Sequence, residues 1–218
     1  MLRRLKLALE YDGTVYHGWQ VQPGLDTIQG RLEAALSRLA GSPVQVMGAG
    51  RTDAGVHALG QVASCRIDTR LDERTVQRAL NATLPADIVV RDVASMPDAF
   101  DARRSARAKT YRYTLLRRAE RSALDGRYSL HVPYAVDVDA MNEAAQRLVG
   151  THDFSSFRAG TCGAATPVRT VSRAGWRTEG DFCRFEIVGN AFLQHMVRII
   201  VGTLLDVGRG RWRPGDVG

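Results

Sequence analysis

Lysine is almost missing from this chain: Lys6 and Lys109 are the only two among 30 basic residues. Cysteine is equally scarce, with Cys65, Cys162 and Cys183 widely spaced and odd in number. No CxxC pair occurs, which removes the spacing of a zinc knuckle and of a disulfide framework, and the three residues read as buried, reduced thiols. The five histidines, His17, His57, His131, His152 and His195, show no HExxH spacing, so no metal is expected. No apolar run approaches the roughly 20 residues that span a bilayer. The N-terminus, MLRRLKLALEYDG, is basic and then apolar in the manner of a signal peptide. Yet Leu5, Leu7 and Leu9 alternate with Lys6, Ala8 and Glu10, and no small-residue cleavage site follows. It reads as a first strand, and the protein as cytoplasmic with no membrane partner.

What the chain does contain is arginine. It has 218 residues, a formal net charge of +7 and a sequence pI near 9.8. The guanidinium is a planar fork that pairs with phosphate and stacks on bases, so a polyanionic partner is expected; an arginine-rich genome or a heat-tolerant host would leave the same composition. Hydrophobic residues make up 44%, enough to bury one large core or two small ones.

Periodicity then sets the order of elements. Residues 3–10 alternate as a half-buried strand, and a loop rich in glycine and aromatics, YDGTVYHGWQVQPGLDT, follows. Thr27 caps a helix whose apolar face is Ile28, Leu32, Ala35, Leu36 and Leu39, ended by Gly41, Ser42 and Pro43. Val44–Met47 and residues 59–66 read as strands; Asp72 caps a helix with Val76, Ala79, Leu80 and Thr83; Pro85 breaks it, and Ile88–Val93 is a strand. The second part repeats the pattern without repeating the residues. Tyr111–Leu116 is a strand, Asp137–Val149 a helix, Val168–Arg177 and Phe182–Val188 strands, and Phe192–Val207 a helix. The expected fold is α+β: two ferredoxin-like split-βαβ units, residues 1–105 (βαββαβ) and 106–218 (βαββα), forming one mixed, mainly antiparallel sheet with helices on one face. The second unit lacks its last strand in this reading, and the chain ends on RGRWRPGDVG.

The strongest local signal is GAGRTDAGVHALGQV, residues 48–62, where four glycines flank or lie in a turn between two strands. Such glycines permit positive φ and let a large ligand approach the backbone. Between them stand Arg51 and Asp53, two residues apart and able to point the same way from extended backbone. A dinucleotide-binding loop does not fit: Asp53 occupies the place of the third glycine, and no helix N-terminus follows to receive a pyrophosphate. A turn holding a structural Arg–Asp pair is the competing reading.

RTDAGVHALGQV resembles the catalytic signature of tRNA pseudouridine synthases of the TruA type. So do, in the same order, EYDGTVYHGWQ, NATLPADIVV, SARAKTYRYTLL and NAFLQHMVRIIVGTLLDVG, which together span almost the whole chain. The resemblance implies isomerisation of uridine to pseudouridine in the anticodon stem–loop of tRNA, by a homodimer, without a cofactor. It implies Asp53 as the catalytic carboxylate and Tyr111 as the ring that packs on the target base. It also implies Arg198 as the cation paired with that carboxylate, and Arg51 as a contact to RNA and the extruded nucleotide. Family members usually continue past this point with a further helix and strand. By its apolar neighbours Met196, Val197, Ile199 and Ile200, Arg198 needs a buried partner or a way out to water. His57 and His195 read as structural or RNA contacts rather than as acids or bases. Eight basic residues between 101 and 121, namely Arg103, Arg104, Arg107, Lys109, Arg112, Arg117, Arg118 and Arg121, bracket Tyr111 and read as a phosphate track. A non-catalytic RNA-binding module on the same fold is the alternative, and a nucleotide-binding enzyme a distant third.

Overall fold

The computed structural model describes residues 1–217. The chain divides into two compact units, Met1–Ala106 and a second from Arg107 onward.

In the first unit the alternation of residues 3–10 becomes β1 (Leu2–Tyr11), whose Leu5, Leu7, Leu9 and Tyr11 are all buried. The helix α1 (Ile28–Ala40) begins where the Thr27 side chain accepts the Gly30 amide, and ends at Gly41 in the left-handed region at φ 68°. The strands β2 (Val46–Gly48) and β3 (Ala58–Asp68) come next. They are followed by α2 (Glu73–Thr83), capped by Asp72, and by β4 (Ile88–Met96). The sheet order is β2-β3-β1-β4, antiparallel throughout. Thus β3 is inserted between β1 and β2, the arrangement of a split βαβ unit. Ile28, Leu32, Ala35 and Leu36 of α1, with Val76 and Leu80 of α2, join the odd residues of β1 in a single core. Both helices therefore cover one face of the sheet. Each fully buried Leu or Ile there contributes about 1.5–3 kcal/mol of transfer free energy.

The second unit repeats the theme. It contains β5 (Lys109–Leu116), β6 (Leu130–His131), α3 (Val138–Gln146), β7 (Gly150–Asp153), β8 (Val168–Glu179), β9 (Phe182–Gly189) and α4 (Met196–Gly208). Its order is β6-β5-β9-β8-β7, with β5, β8 and β9 in the places of β1, β2 and β3. Cys183, Phe185 and Ile187 are buried against α3 and α4, and Arg184 and Glu186 point the other way. The expected α+β class is present, and its strands hydrogen-bond as two sheets, one in each unit.

Two strands escape the pattern reading because they are too short to carry a period: β6 has two residues and β7 four. The two-residue β6 runs parallel to β5, at the edge where β4 lies beside β1 in the first unit. The last helix starts at Met196 rather than at Phe192, because His195 just before it adopts φ 61° and ψ 2°, which no helix interior allows. Among the described residues no helix is long and apolar enough to cross a membrane.

Candidate active site

In the first unit the glycine-rich stretch between β2 and β3 is held by backbone from the loop that follows β1. The Trp19 amide donates to the Thr52 carbonyl at 2.9 Å, and the Tyr11 hydroxyl lies 2.8 Å from Thr52 Oγ1. Trp19 is 2% exposed, so the anchor is the core itself. Gly18 sits at φ +88°, and a Cβ there would come 2.7 Å from the Thr52 carbonyl oxygen and 3.2 Å from the carbonyl carbon of Asp53. A Cβ at Gly48 would lie 2.6 Å from the Trp19 indole. These two glycines are therefore needed for close approach.

Asp53 opens a tight turn. The Val56 amide donates to its carbonyl at 3.1 Å, and Gly55 takes φ +75°, as the third residue of a type II turn requires. The Asp53 side chain is half-buried and Arg51 is exposed. Downstream, His57 Nδ1 lies 2.9 Å from the Asp12 carboxylate and 3.1 Å from the Gly13 amide. A neutral ring accepts from Gly13 and a protonated ring donates to Asp12, so the imidazole is fixed in either form. That agrees with a structural role for His57. Tyr16, 4% exposed, donates to Asp87 Oδ1 at 2.6 Å. Burial, reinforced by the Asp87 carboxylate, pushes its hydroxyl well above the usual tyrosine value.

In the second unit Tyr111 stands on β5, opposite Ile187 of β9. It packs edge-to-face against Phe192, with ring centroids 5.0 Å apart and planes at 79°. Such a pair contributes roughly 0.5–1.5 kcal/mol beyond area burial and fixes the ring plane. Phe192 lies in the loop before α4, and Arg198 in the first turn of that helix. Arg198 is exposed. Buried Met196 and Ile200 lie on the opposite face. His195, in the left-handed region, is the sole non-glycine positive φ among the described residues, a costly conformation that places the start of α4.

Thus Arg51 and Asp53 share one loop of the first unit, and Tyr111 and Arg198 belong to the second. Pattern reading passed over the supports: Gly18, Trp19 and Tyr11 behind Thr52, and Phe192 beside Tyr111. The signal for the first three lay in the aromatic and glycine content of the loop after β1; nothing local marked Phe192. Among the described residues no group of three or more His, Cys, Asp or Glu side chains is arranged to hold a metal ion.

The sequence profile of a family described as tRNA pseudouridine synthase matches residues 7–103 and 144–218. Similar proteins share nearly the full chain. One, the tRNA pseudouridine synthase A of Geotalea uraniireducens, is 45% identical over 216 residues, covering 99% of this chain and 88% of that protein. The proteins of the same name from Xanthobacter autotrophicus and Bacillus licheniformis are each 46% identical. They cover 98% of this chain and 88% and 87% of their own lengths.

Proposed function

Because the chain belongs to the tRNA pseudouridine synthase family, we propose that it isomerises uridine to pseudouridine in tRNA, with Asp53 as the catalytic carboxylate. The reaction breaks the N1–C1′ bond, turns the uracil and joins C5 to C1′. C5 loses a proton and N1 gains one, so substrate and product are isomers and nothing is consumed. The chemistry needs an ionised carboxylate beside the ribose, a surface that retains the detached base, and a group to receive the C5 proton.

The observation that carries this reading is the turn at Asp53, sequence RTDAGVHALGQV, pinned at the preceding residue by the Trp19 amide. A half-buried carboxylate on a backbone fixed from two sides starts in position and loses little freedom on reaching the transition state. In this proposal Tyr111 offers the base a flat ring, and its plane is preset by Phe192. Arg198 is the basic residue that the resemblance of the motifs assigns to the same chemistry. Arg51 contacts RNA beside the extruded nucleotide, whose unstacking costs a few kcal/mol. The proposal extends to a homodimer acting in the cytoplasm on the anticodon stem–loop, as the resemblance of the motifs implies.

The test is Asp53→Asn. Incubated with unmodified tRNA, the parent should produce new pseudouridine on mapping; the variant should bind the same tRNA and produce none. A variant that turns over like the parent removes Asp53 from the chemistry. A parent that binds tRNA without forming pseudouridine reduces the protein to a binding module.

A further inference from the structure

A cationic recess lies at the end of β5 remote from Tyr111. It has a volume of about 270 Å³, and its lining includes Arg117, Arg118, Val132 and Tyr134 but no carboxylate. The two arginines are used differently. Arg118 is occupied: Nε donates to the Glu120 carbonyl at 2.9 Å, and Nη1 lies 3.3 Å from the Asp181 carboxylate. Arg117 is not. Its Nε–H is buried, no protein atom accepts from it, and it pairs with no carboxylate among the described residues. A buried charged donor without an acceptor is unfavourable, so a ligand that supplies one gains more here than at an ordinary surface arginine. Tyr134 forms a wall of the recess and carries the Arg209 guanidinium 4.5 Å above its ring, which adds a further positive charge.

The direction of Arg117 follows from the strand. Tyr111, Tyr113 and Leu115 face the core of the second unit, and Arg117 is the next residue of that parity. Its amide donates to the Asp181 carbonyl at 2.7 Å, carrying the β5–β9 pairing one residue further. Arg117 therefore leaves the chain on the same side as Tyr111, six residues and about 20 Å away at roughly 3.3 Å per residue.

We propose that this recess is a phosphate subsite for the RNA substrate, in which Arg117 holds one backbone phosphate remote from the target base. The planar fork matches a phosphate oxygen pair. The volume lies below the roughly 300–1,000 Å³ of sites for drug-sized ligands and suits a phosphate with its sugar. The proposal rests on Tyr111 holding the target base. At about 3.4 Å per stacked nucleotide, the phosphate would then lie on the order of six nucleotides from the modified uridine.

The experiment compares the parent with Arg117→Gln and Arg117→Lys on two RNAs, full-length unmodified tRNA and a hairpin ending about three nucleotides from the target. Binding is measured across a salt series. Arg117→Gln should weaken tRNA binding about 5- to 10-fold and lower the slope of log K against log salt by about 1. Binding of the short hairpin should change less than twofold, and Arg117→Lys should restore most of the salt slope. Unchanged tRNA affinity and slope would overturn the proposal. So would equal losses on both RNAs, which mark a structural role. A thermal shift with inorganic phosphate that Arg117→Gln abolishes, without an effect on tRNA binding, would assign the recess to a free anion instead. Binding is read independently of turnover, so a parent that forms no pseudouridine defeats the catalytic reading separately.

Discussion

The carbonyl oxygen of Thr52 accepts the amide of Trp19 at 2.9 Å, and this bond ties the residue before Asp53 to a fully buried indole. The turn at Asp53 is thus held by chain more than 30 residues earlier in sequence. Three further contacts act on the same segment: Tyr11 on the Thr52 hydroxyl, and the close approaches at Gly18 and Gly48. In the proposed role of Asp53, a displacement of its carboxylate by about 1 Å would cost on the order of 100-fold in rate.

Gly18→Ala tests that linkage. The new Cβ meets the Thr52 carbonyl oxygen at 2.7 Å and sits at φ +88°, so the loop must move. Turnover should fall about 10- to 100-fold. Gly24→Ala is the comparison, because Gly24 has a similar φ of +73° but open space around a Cβ. It should lose only the roughly 1–2 kcal/mol of left-handed strain and keep its turnover. Steady-state rates and thermal midpoints of both variants check this; equal turnover in the two would show that the Gly18 approach does not position Asp53.

Phe192→Leu should loosen Tyr111. The variant keeps an apolar side chain but loses the edge-to-face contact at 5.0 Å. A loss of roughly 0.5–1.5 kcal/mol of ring positioning corresponds to about a 2- to 12-fold drop in kcat/KM. The affinity of the Asp53→Asn background for tRNA should stay constant. A drop confined to RNA affinity would place Phe192 in binding rather than behind Tyr111.

Tyr16→Phe removes the donor to Asp87 at 2.6 Å and leaves a half-buried carboxylate oxygen with one bond fewer. The expected cost is about 1.5–3 kcal/mol, the range for hydrogen bonds to charged groups, read as a lower denaturation midpoint. Folding raises the pKa of this hydroxyl. Its contribution is therefore complete below the unfolded value near 10 and is lost as pH rises toward the folded one. The gap between parent and variant should narrow above that point. A gap that widens with pH would contradict the assignment.

The cysteines should separate by reactivity. Backbone hydrogen bonds from the Gln194 and Ala164 region lower the Cys162 thiol, which is half-buried, whereas burial pushes Cys65 up to about 12 and raises Cys183. At pH 8 an alkylating reagent should add one group to the native protein, at Cys162, and three after unfolding, as read by intact mass. For Cys65 the folded pKa exceeds the unfolded value of about 8.5, so the native state is favoured fully below that pH. The advantage disappears as pH climbs toward 12. Rapid modification of Cys65 in the native protein would show that the first core is not closed at that point.

Much of this was legible in advance. The odd leucines of β1, the apolar stripes of the helices, and the Thr27 and Asp72 caps are short-range signals: a period of two or 3.6 residues, and a side-chain oxygen reaching an amide three residues on. The Asp53 loop was equally plain, because its glycines and its Arg–Thr–Asp core lie within a few residues. The two-residue β6 and the four-residue β7 left no period to read, and the left-handed turn at His195 carried no glycine to announce it.

By itself, then, the sequence determined the longer strands and the helices, which faces they bury, and that a carboxylate and a guanidinium share a glycine-lined turn. Those are properties of neighbours along the chain. Tertiary structure alone decided that Trp19 holds Thr52, that Phe192 sets the plane of Tyr111, that Arg198 faces solvent from an apolar helix, and that Arg117 ends with a buried donor. Each depends on packing between segments distant in sequence. Close-packed cores choose such partners by shape and by the need to satisfy buried polar groups, and no local pattern encodes either.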